Sequence, residues 1–155
     1  MTINDSKTRP MMEVAREGIF SSLQFKIDGS MILDLYAGSG SMGIEALSRG
    51  ARYTTFVELS DKCAAIIKKN LKNFESNFNI QQISADKYIS NAFDKFNIIF
   101  YDPPFNFEDS KVSKELLELE NLLEVNGTIV CHRHIKSETI ILSKKLELYL
   151  SLIHI

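Results

Sequence analysis

Short apolar runs alternate with stretches in which apolar residues recur every three or four positions, and the rhythm persists along most of the chain. MILDLY at 31–36 has the near-continuous hydrophobicity of a strand buried on both faces. Cys63, Ile67, Leu71 and Phe74 instead fall on one side of a helix. Parallel strands need long connections, and a helix packed on the sheet is the usual one. The expected fold class is therefore α/β: a doubly wound, mostly parallel sheet with helices on both faces, Rossmann-like in architecture. Such a sheet binds its ligand at the carboxyl ends of its strands, beside the point where the winding reverses.

Helices are expected at 11–23, after Arg9-Pro10, and at 41–49, with Gly50 as a C-terminal cap. Others are expected after a cap at Ser60 or Asp61, at 86–93, at 110–123 and at 136–145. Strands are expected at 31–36, 53–58, 79–84, 96–101, 128–133 and 146–155, with Asn126-Gly127 turning the chain into the fifth. No repeat or linker interrupts the pattern, so residues 1–155 are expected to form one domain.

The net charge of −2 lacks the basic footprint usual for a nucleic-acid binder, although Lys68, Lys69 and Lys72 cluster on one helix. No apolar run approaches a membrane span, and MTINDSKTRPMMEV lacks the apolar core of a signal peptide. Cys63 and Cys131 form no framework and are expected to be buried thiols in a reducing cytoplasm. His132, His134 and His154 have no acid or cysteine at ligand spacing, so no metal site is expected.

The first strand runs into Asp34-Leu35-Tyr36-Ala37-Gly38-Ser39-Gly40-Ser41-Met42-Gly43, a G-x-G-x-x-G between a strand and a helix. Gly38 and Gly40 let backbone approach a ligand closely, and a helix starting at Ser41 offers amide donors. Dinucleotide and methyl-donor sites share this loop. Asp34 separates them: an acid there suits the amino group of S-adenosylmethionine better than a pyrophosphate. Glu58 ends the second strand 20 residues beyond Gly38, where a carboxylate can accept from both ribose hydroxyls. Asp86 follows the third strand and suits either the adenine amino group or a helix N-cap.

The fourth strand ends in Asp102-Pro103-Pro104-Phe105. Two prolines cannot continue a ladder, since they lack donors and fix φ. The position faces the glycine loop across the switch point. Asp102 and the Pro103 carbonyl can each accept from an exocyclic amine, aiming its lone pair at a methyl group, while Phe105 stacks on the base. That is catalysis by orientation and fixed electrostatics.

RPMMEVAREGIF, LDLYAGSGSMGIEALSRGA, FVE and YDPPF, in this order, resemble the RsmD family of bacterial 16S ribosomal RNA guanine-N2 methyltransferases. The resemblance runs from about residue 9 to 134 and is most specific from Leu33 to Ala51. It implies a class I, S-adenosylmethionine-dependent enzyme of the cytoplasm, a monomer acting on ribosomal RNA within a 30S particle or assembly intermediate. Asp34, Ala37, Gly38 and Gly40 would hold the methionine part of the donor, Glu58 the ribose and Asp86 the adenine side. Arg9 and the helix around Arg16 and Glu17 would help close that site, and Asp102, Pro103, Pro104 and Phe105 would be catalytic. The family's basic N-terminal hairpin is not expected here, and LELYLSLIHI reads as a shortened final strand pair. Methylation of another base amine, such as adenine N6 in DNA, and donor binding without activity are the alternative readings.

Overall fold

The computed structural model describes residues 9–131. Expectations for 1–8 and 132–155, including the three histidines, the helix at 136–145 and the final strand pair, lie outside the described residues. The elements run α1 (Arg9–Leu23), β1 (Met31–Leu35), α2 (Ser41–Ser48), β2 (Tyr53–Val57), α3 (Asp61–Asn70), β3 (Phe78–Gln81), α4 (Ala85–Asn91), β4 (Phe96–Tyr101), α5 (Asp109–Glu120) and β5 (Leu123–Cys131).

All strand pairs are parallel, in the order β3-β2-β1-β4-β5. The chain winds from β1 outward to β3, then returns to place β4 on the other side of β1. The winding therefore reverses between β1 and β4, as the strand–helix alternation predicts for this Rossmann-like fold.

Period-two alternation along the strands divides the core between the two faces. Ile32, Phe56, Ile98 and Phe100 pack with Phe20 and Leu23 of α1, Leu47 of α2 and Ile67 of α3. Leu33, Leu35, Val57, Ile99 and Tyr101 pack on the opposite face with Tyr88 of α4 and Val112, Leu116 and Leu119 of α5. Full burial of each large apolar side chain contributes roughly 1.5–3 kcal/mol, so this double layer fixes the strand ends that carry the site.

The boundaries differ from expectation in instructive places. Ser60, rather than Asp61, caps α3, its hydroxyl accepting from the Cys63 amide at 3.3 Å. Leu123, expected on the last turn of a helix, begins β5 and pairs with Phe96. Asn126-Gly127 is not a turn before the strand but part of an irregularity within it: Phe96 pairs with Leu123, yet Ile98 pairs with Thr128. Asn126 takes φ 66, which asparagine tolerates better than most residues. Cys63 and Cys131 are half-buried free thiols, not buried ones. Cys63 lies in the exposed first turn of α3 and Cys131 at the end of a strand. No helix among the described residues is long and apolar enough to cross a membrane.

Candidate active site

The register of β1 with β4 sets the geometry. Leu35 lies opposite Tyr101, so the loop beginning at Tyr36 and the segment beginning at Asp102 leave neighbouring strands side by side. Glu58 follows directly on β2, the other neighbour of β1. Strand topology thus gathers the glycine loop, Glu58 and Asp102–Phe105 at one end of the sheet.

The loop is held by backbone bonds to β2 and within itself. The Ala37 amide donates to the Val57 carbonyl at 3.0 Å and the Gly40 amide to the Ala37 carbonyl at 2.8 Å. Gly38 and Gly40 have φ of 59° and 79°, a region costly for residues with a Cβ. They differ in what surrounds them. A Cβ on Gly38 would meet nothing within 4 Å, whereas one on Gly40 would press on Ile67 at 3.1 Å and on Ile44 and Phe56 at 3.3 Å. Gly38 borders open space, as a ligand cradle requires. At Gly40 the core itself also requires glycine, because an added Cβ would crowd it.

Glu58 is half-buried, and both its oxygens are engaged. Oε1 accepts from the Gly38 amide and Oε2 from the Ser60 amide, each at 2.8 Å. Two fixed donors orient the carboxylate and leave lone pairs for further acceptance. Asp86 is exposed in the first turn of α4, and the helix is capped by Ser84 instead, whose hydroxyl accepts from the Lys87 amide at 3.2 Å. The N-cap reading of Asp86 is therefore corrected. Arg9 opens α1.

Asp34 is only 3% exposed, and its Oδ2 accepts from the Gly43 amide at 2.9 Å. It serves as a remote cap for α2, whose own N-cap residue, Gly40, has no side chain to offer. Burial pushes its carboxyl up to about 8; the Gly43 bond opposes this, and the charges of Asp102 and Glu58 add to it. The carboxylates of Glu58 and Asp102, which follow β2 and β4, therefore lie close enough to oppose the ionisation of Asp34 on β1. A cationic ligand relieves that repulsion, whereas a pyrophosphate would worsen it.

A raised pKa has a definite sign for stability. The folded chain keeps the Asp34 proton where the unfolded chain, at 3.8, has lost it. The resulting stabilisation is complete below pH 3.8 and is lost as pH rises towards about 8. An Asp34→Asn chain keeps an oxygen for Gly43 and cannot ionise. In denaturant unfolding it should gain on the wild-type chain between about pH 5 and about pH 8. A difference unchanged over that range would refute the raised pKa.

The Asp102–Phe105 segment alternates in exposure. Pro103 is buried, while Asp102, Pro104 and Phe105 are exposed, the Phe105 ring at 86%. The Phe107 amide donates to the Pro104 carbonyl at 3.1 Å and closes a turn after the prolines. An aromatic ring held in solvent is available for stacking.

Sequence reasoning passed over a second cluster. The Tyr36 hydroxyl lies 2.9 and 2.8 Å from the two oxygens of Glu115 on α5. Glu115 is 2% exposed and falls within the apolar stripe of Val112, Leu116 and Leu119. An acid in the middle of such a stripe was the available signal, because it is costly to bury without a partner. Among the described residues no group of three or more acids, histidines or cysteines is arranged to hold a metal.

The profile of the family described as Conserved hypothetical protein 95 matches residues 1–151. The chain is 38% identical over 133 residues to Ribosomal RNA small subunit methyltransferase D of Haemophilus influenzae, covering 82% of this chain and 68% of that protein. It is 34% identical over 149 residues to the protein of the same name from Buchnera aphidicola, covering 94% and 77%. A solved Escherichia coli chain, yhhF, superposes with a TM-score of 0.79 at 26% identity, covering 93% of this chain and 79% of that one.

Proposed function

The chain belongs to the Conserved hypothetical protein 95 family, that of the RsmD methyltransferases, and from this we propose that it methylates the exocyclic N2 amine of a guanine in 16S ribosomal RNA. S-adenosylmethionine is the donor. One observation carries the reading beyond family membership: the β1–β4 register sets the Asp-Pro-Pro-Phe segment, with Asp102 and Phe105 exposed, beside a glycine loop flanked by three acids.

The donor brings a sulfonium-activated methyl group and an ammonium group, both cationic. The open space beside Gly38, the oriented Glu58 carboxylate and the surrounding negative charge fit such a molecule. Glu58 binds the ribose hydroxyls, while Ala37, Gly38 and Gly40 form the floor beneath the methionine part. Asp34 acts there chiefly through its hold on α2, its Oδ2 accepting from the Gly43 amide. Asp86 receives the adenine side, and Arg9 helps close the site.

The amine of a guanine is a poor nucleophile because its lone pair is delocalised into the ring. Asp102 and the Pro103 carbonyl accept its two hydrogens and favour a pyramidal nitrogen. Phe105 stacks on the base, which must be unstacked or already exposed in the RNA. When bound, the donor would supply an electrophilic methyl group, and its transfer would leave positive charge on the nitrogen that Asp102 and the Pro103 carbonyl hold. Asp102 then accepts the released proton. The substrate is a 30S particle or assembly intermediate, and the enzyme works as a monomer in the cytoplasm.

Labelled donor should transfer its methyl to 30S particles lacking the modification, and not to duplex DNA. Transfer to DNA adenine alone would select the other base, and donor binding with no transfer would select the inactive reading. A Glu58→Gln chain sets an amide NH2 against the Gly38 or Ser60 amide, donor against donor. Calorimetry should show donor affinity falling about 10- to 100-fold, the scale of a lost charge-assisted bond. Unchanged affinity would remove Glu58 from the donor site.

A further inference from the structure

We propose that Glu115 is a positioning residue: acting through Tyr36, it locks the donor loop to the catalytic segment so that methyl and amine meet in fixed relation. The role rests on the methyl-transfer reading, but its physical part is independent of it.

Tyr36 joins β1 to the glycine loop, and its φ is 60°, the left-handed region. A bulky residue persists there only when its surroundings determine it strongly. Four contacts do so. Its hydroxyl shares one hydrogen between the two Glu115 oxygens, at 2.9 and 2.8 Å. Its ring meets Phe107 edge-on at 5.8 Å and Tyr101 at 6.0 Å. Tyr101 and Phe107 bracket Asp102–Phe105 in the chain, and the Lys111 ammonium lies 4.0 Å from the Phe107 ring centroid. One side chain therefore touches residues on both sides of the catalytic segment while its backbone begins the donor loop.

Glu115 is the part that apolar packing cannot replace. The charged and titratable groups around it are Tyr36, Tyr101, Asp86 and Lys111. Burial raises its carboxyl above the ordinary range, and the Tyr36 bond works against that rise. A leucine would suit this stripe of α5 better, but it could not hold the hydroxyl. Without that anchor, Tyr36 can relax from its left-handed conformation, and the loop and the segment lose their common reference. A displacement of about 1 Å between reacting groups can cost roughly 100-fold in rate.

Amide hydrogen exchange on the full chain tests this directly, with Tyr36→Phe as the main variant because it deletes one oxygen and leaves the rings in place. Exchange should quicken about fivefold to tenfold at both Gly38–Gly40 and Phe107, with core strand amides unchanged. Glu115→Ala should do the same. Glu115→Gln, whose carbonyl can accept from Tyr36, should stay nearer the wild type. In methyl transfer, Tyr36→Phe should lower kcat about tenfold or more while the donor KM changes less than threefold. Tyr36→Phe exchange that is unaltered, or altered at only one of the two segments, would overturn the proposal. Absence of transfer by the wild-type chain would refute the methyltransferase reading, and exchange would still decide the lock.

Discussion

An Asp102→Ala chain is expected to lose about 100- to 1,000-fold in methyl transfer while binding the donor within about threefold of the wild-type affinity. Asp102 follows Tyr101, whose backbone is fixed by pairing with both Leu35 and Cys131. The carboxylate is exposed at the end of the sheet, so its removal leaves no buried cavity. On the proposed roles, what disappears is an acceptor for the amine and a base for the departing proton, while donor binding is assigned to Glu58 and the glycine loop. Asp102 does contribute to the negative potential around Asp34, which is why a small change in donor affinity is allowed. Asp102→Asn keeps an acceptor oxygen and loses the base, so it should fall between alanine and wild type. Equal losses in transfer and donor affinity would show that Asp102 is a donor ligand and not the amine's partner.

A Gly43→Ala chain should be destabilised by about 1–3 kcal/mol, the usual cost of overpacking a tight core. The added Cβ would lie 2.4 Å from Phe56 Cε1 and 2.9 Å from both Phe56 Cζ and the Thr54 methyl. Phe56 and Thr54 are fully buried, so neither has solvent to move into. The only relief is for α2 to shift off β2. That shift would stretch the 2.9 Å bond from the Gly43 amide to Asp34 and disturb the loop that starts the helix. The substitution should therefore lower the unfolding midpoint and weaken donor binding together. An unchanged midpoint would mean that the helix–sheet contact is looser than the geometry requires.

Most of the architecture was legible because strand and helix periods differ, and because glycine and proline punctuate their boundaries. Gly50 caps α2 as read, with φ 100 and its amide donating to the Leu47 carbonyl at 3.1 Å. The gathering of Asp34, Gly38, Glu58 and Asp102 followed from strand order alone. The roles of Gly40 and Asp34 were less legible, since sequence shows that a glycine or an acid is needed but not which neighbour needs it. Gly40 answers to Ile67, 27 positions away, and Asp34 to Gly43. Helix α5 hid two things. Its apolar period ran on into Leu123, which the sheet claims for β5, and its acid Glu115 pairs with a tyrosine 79 positions earlier. Periodicity carries no information about pairings across such distances.

The central claim is that Asp102–Phe105 presents an exocyclic amine to the methyl donor. The most direct measurement is the chemical position of the transferred group: methylated 30S RNA is digested to nucleosides and the product identified by mass spectrometry against standards. The account predicts N2-methylguanosine, with the methyl on the amine that Asp102 and the Pro103 carbonyl hold. A methyl on a ring nitrogen or on a ribose 2′-hydroxyl would contradict it, because neither atom has two hydrogens to offer those two acceptors.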